Sequence, residues 1–329
     1  MPLKNQAELL FNRVKTHQLQ KEVGLLSTDI QVDAGVVQVF GDQNGDIGLW
    51  IPISDEEHRQ FRPDTRSAAL RLTAPHVDGV QHIRLALTEP RQERIFVVFV
   101  DEILSTLESN PNNPASTVSS MLKRWRDLFR ESLKPITWSR EQDLGLLCEL
   151  EVLLALYERQ IPSLLERWTG PEGLPHDFEL ETESLECKAT RSMNGLKVSI
   201  NGVAQLNPTP GKELRLIARS YAENPDGEIS VDKMLDKIFR LDGIDTDVLV
   251  RKLQKLGCPY LNKDGKPYFN QYDAVESFEF QVNDDFPRIT NIGPAERIQQ
   301  VSYVLDLSGP STVPGYLTKN LLLQNGEHE

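Results

Sequence analysis

The sequence predicts an α/β (α+β) chain in which a mixed sheet flanked by helices follows a β-rich N-terminal module. Two observations indicate this class. Between residues 29 and 100, short apolar runs are separated by Gly, Pro and Asp, which is typical of an antiparallel sheet. From residue 139 onward, helical and strand-like segments follow one another, which predicts a mixed sheet covered by helices.

Length, composition and cysteine content are those of an ordinary globular chain. The 329 residues, 39% of them hydrophobic and 26% charged, suffice for one large domain or two of ordinary size. The apolar runs are far shorter than the roughly 20 residues of a membrane span, and the N-terminus lacks the apolar centre of a secretory signal. Cys148, Cys187 and Cys258 form no CxxC pair, which argues against disulfides or a zinc knuckle. We therefore expect a cytoplasmic protein without membrane association.

The N-terminal module is expected to span residues 1–110. Apolar spacing predicts a first helix over residues 5–22. Apolar runs bounded by turn residues predict strands over residues 29–40, 46–53, 82–88 and 94–100. Whether this module recognises DNA, docks a partner or forms a dimer is left open by its residues.

A linker helix is expected within residues 111–138, after the polar break SNPNNPAST (109–117). Five apolar residues fall near helical spacing and predict its buried face: Met121, Trp125, Leu128, Phe129 and Leu133. The basic residues Arg126, Arg130 and Lys134 are spaced by four and share one face. Such a strip either follows a nucleic-acid backbone or is the solvent face of an amphipathic helix.

The C-terminal domain is expected to span residues 139–329. Its first helix, at residues 139–158, has Ser139 as a good N-cap residue and leucines at every third or fourth position. Further elements are expected as strands at 177–181, 184–190, 196–200 and 214–222, helices at 230–240 and 245–256, and strands at 271–282 and 297–307. This order predicts a mixed sheet with helices on its faces.

Asp177, Glu186 and Lys188 are the chemically distinctive group. Alternate side chains of a strand face opposite ways, so Glu186 and Lys188 share one face of SLECKAT (184–190) while the residues between them face the core. Only two or three residues separate this strand from the strand at 177–181. The two strands should therefore pair as a hairpin, which brings Asp177 towards Glu186.

Two carboxylates on neighbouring strands, with a peptide carbonyl, form a hard oxygen site suited to Mg²⁺ or Mn²⁺. Such a metal polarises a phosphodiester and lowers the pKa of its bound water. Lys188 would orient or deprotonate that water, or stabilise the charge of the transition state. The predicted catalytic residues are Asp177, Glu186 and Lys188, and the metal ligands predicted on these strands are Asp177 and Glu186.

The spacing of these residues alone is a weak signal. A solvated strand face with a local Glu–Lys pair, worth under about 1 kcal/mol, has the same pattern. Glu149 lies among leucines on the preceding helix, where it either points into a site or is a surface acid at the edge of the apolar face. Both interpretations stay open on these residues.

The chain resembles a family of bacterial PD-(D/E)XK motif proteins, in five stretches that cover most of its length. They are MLKRWRDLF (121–129), GLLCELEVLL (145–154), WTGPEGLPHDFEL (168–180), LECKATRS (185–192), and FPRI (286–289) with IQQVSYVLDLS (298–308). The resemblance implies a restriction-endonuclease-like fold with Glu149, Asp177, Glu186 and Lys188 at its centre, and Gln205 as an added polar member. The Pro and Asp of the motif are separated here by His176. A role in restriction or phage defence is also implied.

Contacts to DNA are expected from residues near the ExK strand. Arg191 and Lys197 flank a polar turn and are candidates for phosphate contacts, with a solvated hairpin turn as the alternative. His176 either contacts the scissile phosphate or has a structural role in its loop. The net charge of −13 counts against a simple nucleic-acid binder, so a local basic strip or a partner would have to supply phosphate contacts.

These observations favour a Mg²⁺-dependent endonuclease that hydrolyses DNA. The alternative of another class is a weakly active or inactive module that serves as a scaffold in a multi-protein defence complex. A third interpretation is an unrelated acidic α/β protein with an accidental ExK. Besides DNA, the candidate partners are defence-system subunits, such as a helicase/ATPase or a methyltransferase, and a second copy of the chain.

Overall fold

The computed structural model describes residues 6–18, 24–67, 69–77, 79–131, 137–191, 196–261, 268–290 and 301–308. The chain divides into two compact units. Unit 1 holds residues 1–136, 246–254 and 258–266, and unit 2 holds residues 137–245, 255–257 and 267–329. None of the helices in the described stretches has the length and apolarity of a membrane-spanning segment. The domain boundaries expected from the sequence stay a prediction.

Within the described residues, unit 1 is built on an antiparallel sheet of six strands. The strands are β1 (Gly24–Val32), β2 (Gly35–Gly41), β3 (Ile47–Ile53), β4 (Leu70–Thr73), β5 (His76–Val77) and β6 (Val80–Leu87). Their order is β1-β2-β3-β6-β4, and β5 pairs with β6. A row of directly opposed apolar residues crosses the sheet: Val39, Leu49, Leu85 and Leu72. All four are at most 1% exposed, so this face packs into the core of the unit.

Four helices within the described residues accompany this sheet in the first part of unit 1: α1 (Gln6–Gln18), α2 (Asp55–Gln60), α3 (Glu93–Ser109) and α4 (Pro114–Glu131). Of these, α1, α3 and α4 contribute buried apolar residues to the core. Phe11 of α1 stacks on Phe96 of α3, with ring centroids 5.7 Å apart. Trp125 of α4 packs against Phe99 of α3 at 5.2 Å. Aromatic side chains therefore join α1 and α4 to α3, which lies between them in these contacts.

Two strands predicted in this unit are wrong. The run at 94–100 forms the start of α3, whose buried residues continue at helical spacing as far as Leu107. A continuous apolar run fits a buried strand or a buried helix equally well, and burial decided for the helix. The run at 29–40 is a hairpin rather than one strand, because the chain turns at Asp33 and Ala34 before Gly35, whose φ is +147°.

Helix α4 corresponds to the predicted linker helix but begins earlier, at Pro114, inside the expected polar break. Proline suits the first position of a helix, because that position needs no N–H donor. Of the five residues of the predicted face, the four up to Phe129 are buried, and Leu133 lies outside the described residues. Arg126 and Arg130 form ion pairs with Asp64 and Asp127, and Lys134 also lies outside the described residues.

Unit 2 contains a mixed four-stranded sheet and a separate two-stranded sheet in its described residues. The strands are β7 (Phe178–Glu179), β8 (Glu183–Thr190), β9 (Lys197–Asn201), β10 (Glu213–Glu223), β11 (Tyr272–Gln281) and β12 (Ser302–Asp306). The main order is β11-β10-β8-β7, with β10 parallel to β8 and the other pairs antiparallel. The helices are α5 (Arg140–Glu158), α6 (Leu164–Arg167) and α7 (Val231–Phe239). The mixed sheet with flanking helices is the predicted fold class.

Helix α5 covers one face of the main sheet. It begins with the predicted N-cap, where Ser139 and Gln142 form a capping box. Glu151 of α5 reaches β10, where it accepts a hydrogen bond from Arg219 at 2.8 Å and one from the Tyr221 hydroxyl at 2.5 Å. These buried polar contacts fix the position of the helix along the sheet.

The opposite face of the main sheet packs against β9 and β12 rather than against a helix. The apolar residues of this layer are Leu196, Val198, Ile200, Leu206, Leu214, Leu216, Ala218, Phe280, Val282 and Leu307. Strand β9 alternates between buried and exposed residues, and it pairs with β12 instead of joining the main sheet. The sheet is therefore enclosed between a helical layer and a two-stranded β-layer.

The last helix, α8 (Thr246–Lys255), matches the helix predicted at 245–256. Its residues as far as Gln254 group with unit 1. Within that unit, the Gln254 side-chain amide donates a hydrogen bond to the Leu128 carbonyl at 2.7 Å.

Candidate active site

Asp177 lies where the short strand β7 leaves the edge of β8. The two strands pair antiparallel through Phe178 and Glu179, so the predicted hairpin is confirmed. The Asp177 N–H donates to the Leu185 carbonyl at 3.0 Å. The next edge donor of β8, the N–H of Cys187, donates to Asp177 Oδ2 at 2.7 Å. The carboxylate of Asp177 thus accepts the hydrogen bond that the backbone of a longer β7 would accept. This bond to the backbone of β8 fixes the position of the carboxylate.

Glu186 and Lys188 project from the face of β8 that looks towards the β9–β12 layer. Lys188 Nζ lies 2.6 Å from Glu186 Oε1. Glu186 is 1% exposed, and among the described residues its Oε2 has no hydrogen-bond partner. The two side chains share a face as the alternation of the strand predicts, but this face is covered rather than solvated.

Gln205, in the 3₁₀ turn after β9, contacts Lys188. Its Oε1 accepts a hydrogen bond from Lys188 Nζ at 3.1 Å and a second one from the Asn201 N–H at 2.8 Å. The ammonium of Lys188 is therefore held between two acceptors, Glu186 and Gln205. The backbone of β9 fixes the amide of Gln205 in turn.

Glu149 approaches Asp177 from helix α5. Its Oε2 accepts a hydrogen bond from the indole N–H of Trp168 at 2.6 Å. A Cβ placed on Gly170 would stand 2.8 Å from Glu149 Oε2 and 2.9 Å from Asp177 Oδ1. A side chain at residue 170 would therefore displace both carboxylates from these positions. We call Glu149, Asp177, Glu186 and Lys188 the Asp177 cluster.

The carboxyl groups of the Asp177 cluster destabilise one another's charge. Burial, and then the charge of Asp177, raise the pKa values of Glu149 and Glu186 well above the ordinary value. Burial also raises the pKa of Asp177, against the opposing charge of Lys188. Burial acts to lower the pKa of Lys188, but the charge of Glu186 and its hydrogen bond outweigh burial and raise it. The cluster combines three carboxyl groups with a single ammonium, so an additional bound cation would stabilise the charged form of the acids.

His176 belongs to a different group of side chains, centred on Glu179. It is 2% exposed, and its Nδ1 lies 2.9 Å from Glu179 Oε1. Glu179 also accepts hydrogen bonds from Lys212 (2.7 Å), Ser184 (2.9 Å) and Thr209 (3.1 Å). Burial acts to raise the pKa of Glu179, but these hydrogen bonds, with that of Lys212 foremost, lower it to about 2. We call these five residues the Glu179 cluster.

The structure does not bring Arg191 and Lys197 to the Asp177 cluster. Arg191 is exposed, and its Nη1 lies 3.4 Å from Glu223 Oε2. Lys197 is exposed on β9, directly opposite Asp306 of β12. Both side chains stand on the solvent-facing surface of unit 2.

A divalent cation fits the Asp177 cluster in its chemistry, but the described residues contain no preformed set of three ligands. No three His, Cys, Asp or Glu side chains in the described part of the chain are close enough together to hold a metal ion. However, Glu149 Oε2 and Asp177 Oδ1 approach each other across Gly170, and Glu186 Oε2 is buried without a partner. Carboxylate oxygens of this kind are the ligands that Mg²⁺ and Mn²⁺ prefer.

Trp168 and Gly170 shape the site but are not among the residues predicted from the sequence. Trp168 orients Glu149, and Gly170 lets Glu149 meet Asp177. Both lie in the WTGPEGLPH run that contributes to the family resemblance. The sequence feature that could have identified these two residues is the Gly/Pro-rich loop directly before the acidic strand, because glycine in such a loop allows side chains to approach the backbone closely.

A family model described as "Putative PD-(D/E)XK family member, (DUF4420)" matches residues 24–308. No curated protein and no solved structure matches the chain. The matched region contains all four residues of the Asp177 cluster, and the mixed sheet flanked by helices agrees with a restriction-endonuclease-like α+β fold. The chain therefore belongs to this PD-(D/E)XK family.

Proposed function

We propose that the chain is a Mg²⁺- or Mn²⁺-dependent endonuclease that hydrolyses phosphodiester bonds of DNA. The observation that carries the proposal is the Asp177 cluster, in which Glu149 and Asp177 both lie beside Gly170 and Glu186 pairs with Lys188, while Glu186 Oε2 has no hydrogen-bond partner among the described residues. Perturbed carboxyl groups grouped in this way are typical of functional sites. Membership of a PD-(D/E)XK family supports the same chemistry.

Asp177 and Glu186 would hold the divalent cation, with Glu149 assisting directly or through a water. When bound, the cation polarises the phosphodiester and lowers the pKa of its water. The contribution of the chain is to orient the ligands in advance. The Cys187 N–H holds Asp177 at 2.7 Å, and the Trp168 indole holds Glu149 at 2.6 Å. Ligands fixed by such neighbours need little rearrangement on binding.

Lys188 acts as a hydrogen-bond donor rather than as a base. Its Nζ lies 2.6 Å from Glu186 Oε1 and 3.1 Å from Gln205 Oε1, and both acceptors favour the charged ammonium. A charged ammonium orients the attacking water or stabilises negative charge on the phosphate oxygens, but it cannot accept a proton. Of the roles expected for Lys188, we therefore favour these two, with Gln205 as its positioning residue.

Arg191 and Lys197 are proposed to contact DNA phosphates away from the reacting bond. Their exposure on the surface of unit 2 supports this role. His176 is less suited to contact the scissile phosphate, because it is 2% exposed and engaged with Glu179. A role in restriction or phage defence, with further subunits or a second copy of the chain, stays a prediction from the family resemblance.

The second candidate is a scaffold that hydrolyses DNA weakly or not at all by itself. The observation that favours it is the absence of a preformed set of three metal ligands in the described residues. Lys188 occupies one oxygen of Glu186, so a cation would compete with the ammonium for this acid. In such a scaffold, partner binding would be required to complete the site.

Metal binding and DNA nicking separate these candidates. We would titrate Mn²⁺ and Mg²⁺ into the full chain by calorimetry, for the wild type and for Asp177→Ala. The same samples would then be incubated with supercoiled plasmid, with and without a chelator. Binding and nicking that are both lost in Asp177→Ala are the expected result, because this residue is both a ligand and a neighbour of Glu149.

The matched control is Glu181→Ala, which removes an exposed acid from the same hairpin. It should bind metal and nick plasmid as the wild type does. Thermal unfolding of all three proteins verifies that they are folded. Nicking that persists unchanged in folded Asp177→Ala excludes this site as the nuclease centre, and a wild type that neither binds metal nor nicks DNA favours the scaffold.

A further inference from the structure

Unit 1 contains a cavity of about 630 Å³ whose lining includes no residue of the Asp177 cluster or the Glu179 cluster. Its lining comes from α2 and the segment that follows it, from α4 as far as Arg126, and from Leu72 of β4. Cavities that bind small molecules commonly have about 300–1,000 Å³. The size therefore suits a small organic ligand rather than a single ion.

Positive charge is concentrated around this cavity in a chain whose net charge is −13. Its charged lining consists of the cations Arg62, Arg66, Lys123 and Arg126 and the carboxylates Glu57 and Asp64. The segment after α2 and helix α4 each contribute two of these cations to the lining. An anionic ligand is the complement of such a lining.

The two carboxylates of the lining are already engaged. Asp64 accepts hydrogen bonds from Arg66 at 3.1 Å and 2.8 Å and also pairs with Arg126. Glu57 accepts from the Ser54 N–H at 3.0 Å and from the Ala115 N–H at 3.2 Å. Glu57 therefore caps the starts of α2 and α4 and neutralises neither Arg62 nor Lys123.

Arg62 and Lys123 are left without a counter-ion among the described residues. Arg62 is held in place because its Nη1 donates to the carbonyl of Phe61 at 3.0 Å and approaches those of Arg59 and Gln60 at 3.3 and 3.5 Å. Its other nitrogens are available to a ligand. Lys123 is exposed on α4 and forms no ion pair with any described residue. The cavity lining thus offers one oriented guanidinium and one ammonium, from two different segments of the chain.

We propose that this cavity binds a nucleoside phosphate. Arg62 and Lys123 would contact the phosphate, because guanidinium and ammonium groups form strong charge-assisted hydrogen bonds with its oxygens. A phosphate alone fills only a small part of 630 Å³. The apolar side chains of Phe61, Leu72 and Leu122 supply a surface for the base, and Ser116 and Ser119 supply hydroxyl groups for the sugar. The proposal is independent of the proposed nuclease activity.

The test is calorimetric titration of the full chain with AMP, GMP, CMP and UMP in the presence of a chelator. The chelator removes divalent metal, so binding at the Asp177 cluster does not contribute. We expect at least one of these nucleotides to bind. Arg62→Ala and Lys123→Ala should each weaken its binding by about tenfold, through the loss of a charged hydrogen bond. Lys123→Arg should restore most of the affinity, since it keeps the charge.

Arg130→Ala is the matched control, because Arg130 lies on the same helix and pairs with Asp127 outside the lining. It should leave the affinity unchanged, as should Lys188→Met in unit 2. Adenosine and inorganic phosphate are the ligand controls, and each should bind more weakly than the nucleotide. The proposal is overturned if none of the four nucleotides binds at millimolar concentration. It is also overturned if adenosine or phosphate binds as tightly, or if folded Arg62→Ala and Lys123→Ala both keep the full affinity.

Discussion

Asp177 and Glu179 come from the same hairpin, but the Asp177 cluster and the Glu179 cluster shift the pKa values of their acids in opposite directions. Glu179 accepts hydrogen bonds from four side chains, one of them the ammonium of Lys212, and its pKa is lowered to about 2. In the Asp177 cluster, burial raises the pKa of all three acids, and the charge of Asp177 raises those of Glu149 and Glu186 further. Asp177 and Glu179 are two residues apart, so local sequence does not account for the difference.

The difference lies in the number of donors that each acid meets. A buried carboxylate stabilises a fold when donors and a cation surround it, and it costs stability when they do not. The Glu179 cluster therefore stabilises the hairpin that carries Asp177. The Asp177 cluster keeps unsatisfied charge in a buried place, which is a stability cost that a bound cation would remove. Four experiments test this contrast, in order of decreasing expected effect.

The largest effect, on the rate of DNA cleavage, is expected from replacing Lys188 of the Asp177 cluster, with replacement of Lys212 in the Glu179 cluster as the control. Lys188→Met should lower the rate of metal-dependent plasmid cleavage at least about a hundredfold, because it removes a donor to the reacting phosphate or water. Its affinity for Mn²⁺ should not fall, since Glu186 loses a competitor. Lys212→Met removes the same ammonium from the Glu179 cluster and should keep the cleavage rate per folded molecule. Equal losses of cleavage in the two variants contradict the division of roles.

The second effect concerns stability. Glu179→Gln should lower the free energy of unfolding near pH 7 by about 2 kcal/mol, a value that allows for solvent screening on its exposed side. The folded pKa of about 2 lies below the ordinary 4.5, so the stabilisation is present above 4.5 and is lost as pH falls towards 2. Urea unfolding near pH 6 and near pH 3 should show a difference from the wild type that shrinks at the lower pH. Glu181→Gln, on the exposed side of the hairpin, is the control and should have the same free energy of unfolding as the wild type at either pH. If Glu179→Gln loses the same stability at both pH values, the ion pair with Lys212 is not the source of the stabilisation.

The regular parts of the site follow from the sequence. The period of two in SLECKAT predicts that Glu186 and Lys188 share a face, and the short connection predicts the hairpin that contains Asp177. The N-cap at Ser139 predicts where α5 begins, and thus where Glu149 stands along it. These features depend on residues close together in sequence, which is why spacing is enough to find them.

The remaining features depend on contacts between distant segments. Strand β9 pairs with β12, about a hundred residues further on, and no local pattern specifies that pairing. The close approach of Glu149 to Asp177 requires α5, the loop at Gly170 and the edge of β8 to be packed together. The run at 94–100 belongs to a helix whose buried residues recur at helical spacing as far as Leu107, beyond the run itself. Tertiary packing overrode the β propensity of its Ile, Phe and Val residues.

The third experiment places a methyl group beside the carboxylates of Glu149 and Asp177. Gly170→Ala places a Cβ 2.8 Å from Glu149 Oε2 and 2.9 Å from Asp177 Oδ1, so the two carboxylates must move apart. We expect the affinity for Mn²⁺ to fall by about tenfold, as is usual when neighbours of metal ligands are changed. Gly145→Ala is the matched control, because a Cβ there meets nothing within 4 Å. It should bind Mn²⁺ as the wild type does and gain stability in α5. Calorimetry on both variants decides, and an unchanged affinity in Gly170→Ala would show that the two acids do not bind one cation together.

The smallest effect is expected from removing one charge of the Asp177 cluster. Glu149→Gln keeps an oxygen for the Trp168 indole but removes the repulsion by Asp177. The raised pKa of Glu149 means that the folded state binds its proton more tightly than the unfolded state, so the wild type loses stability as pH rises above the ordinary value of 4.5. The metal-free variant should therefore be more stable than the wild type by about 1 kcal/mol near pH 7, and the gain should vanish near pH 4. Added Mn²⁺ should reverse the order, because it stabilises the wild type by binding while the variant has lost a ligand. Urea unfolding with and without Mn²⁺ measures both changes, and a variant that is less stable than the metal-free wild type at neutral pH would mean that Glu149 holds the fold together as Glu179 does.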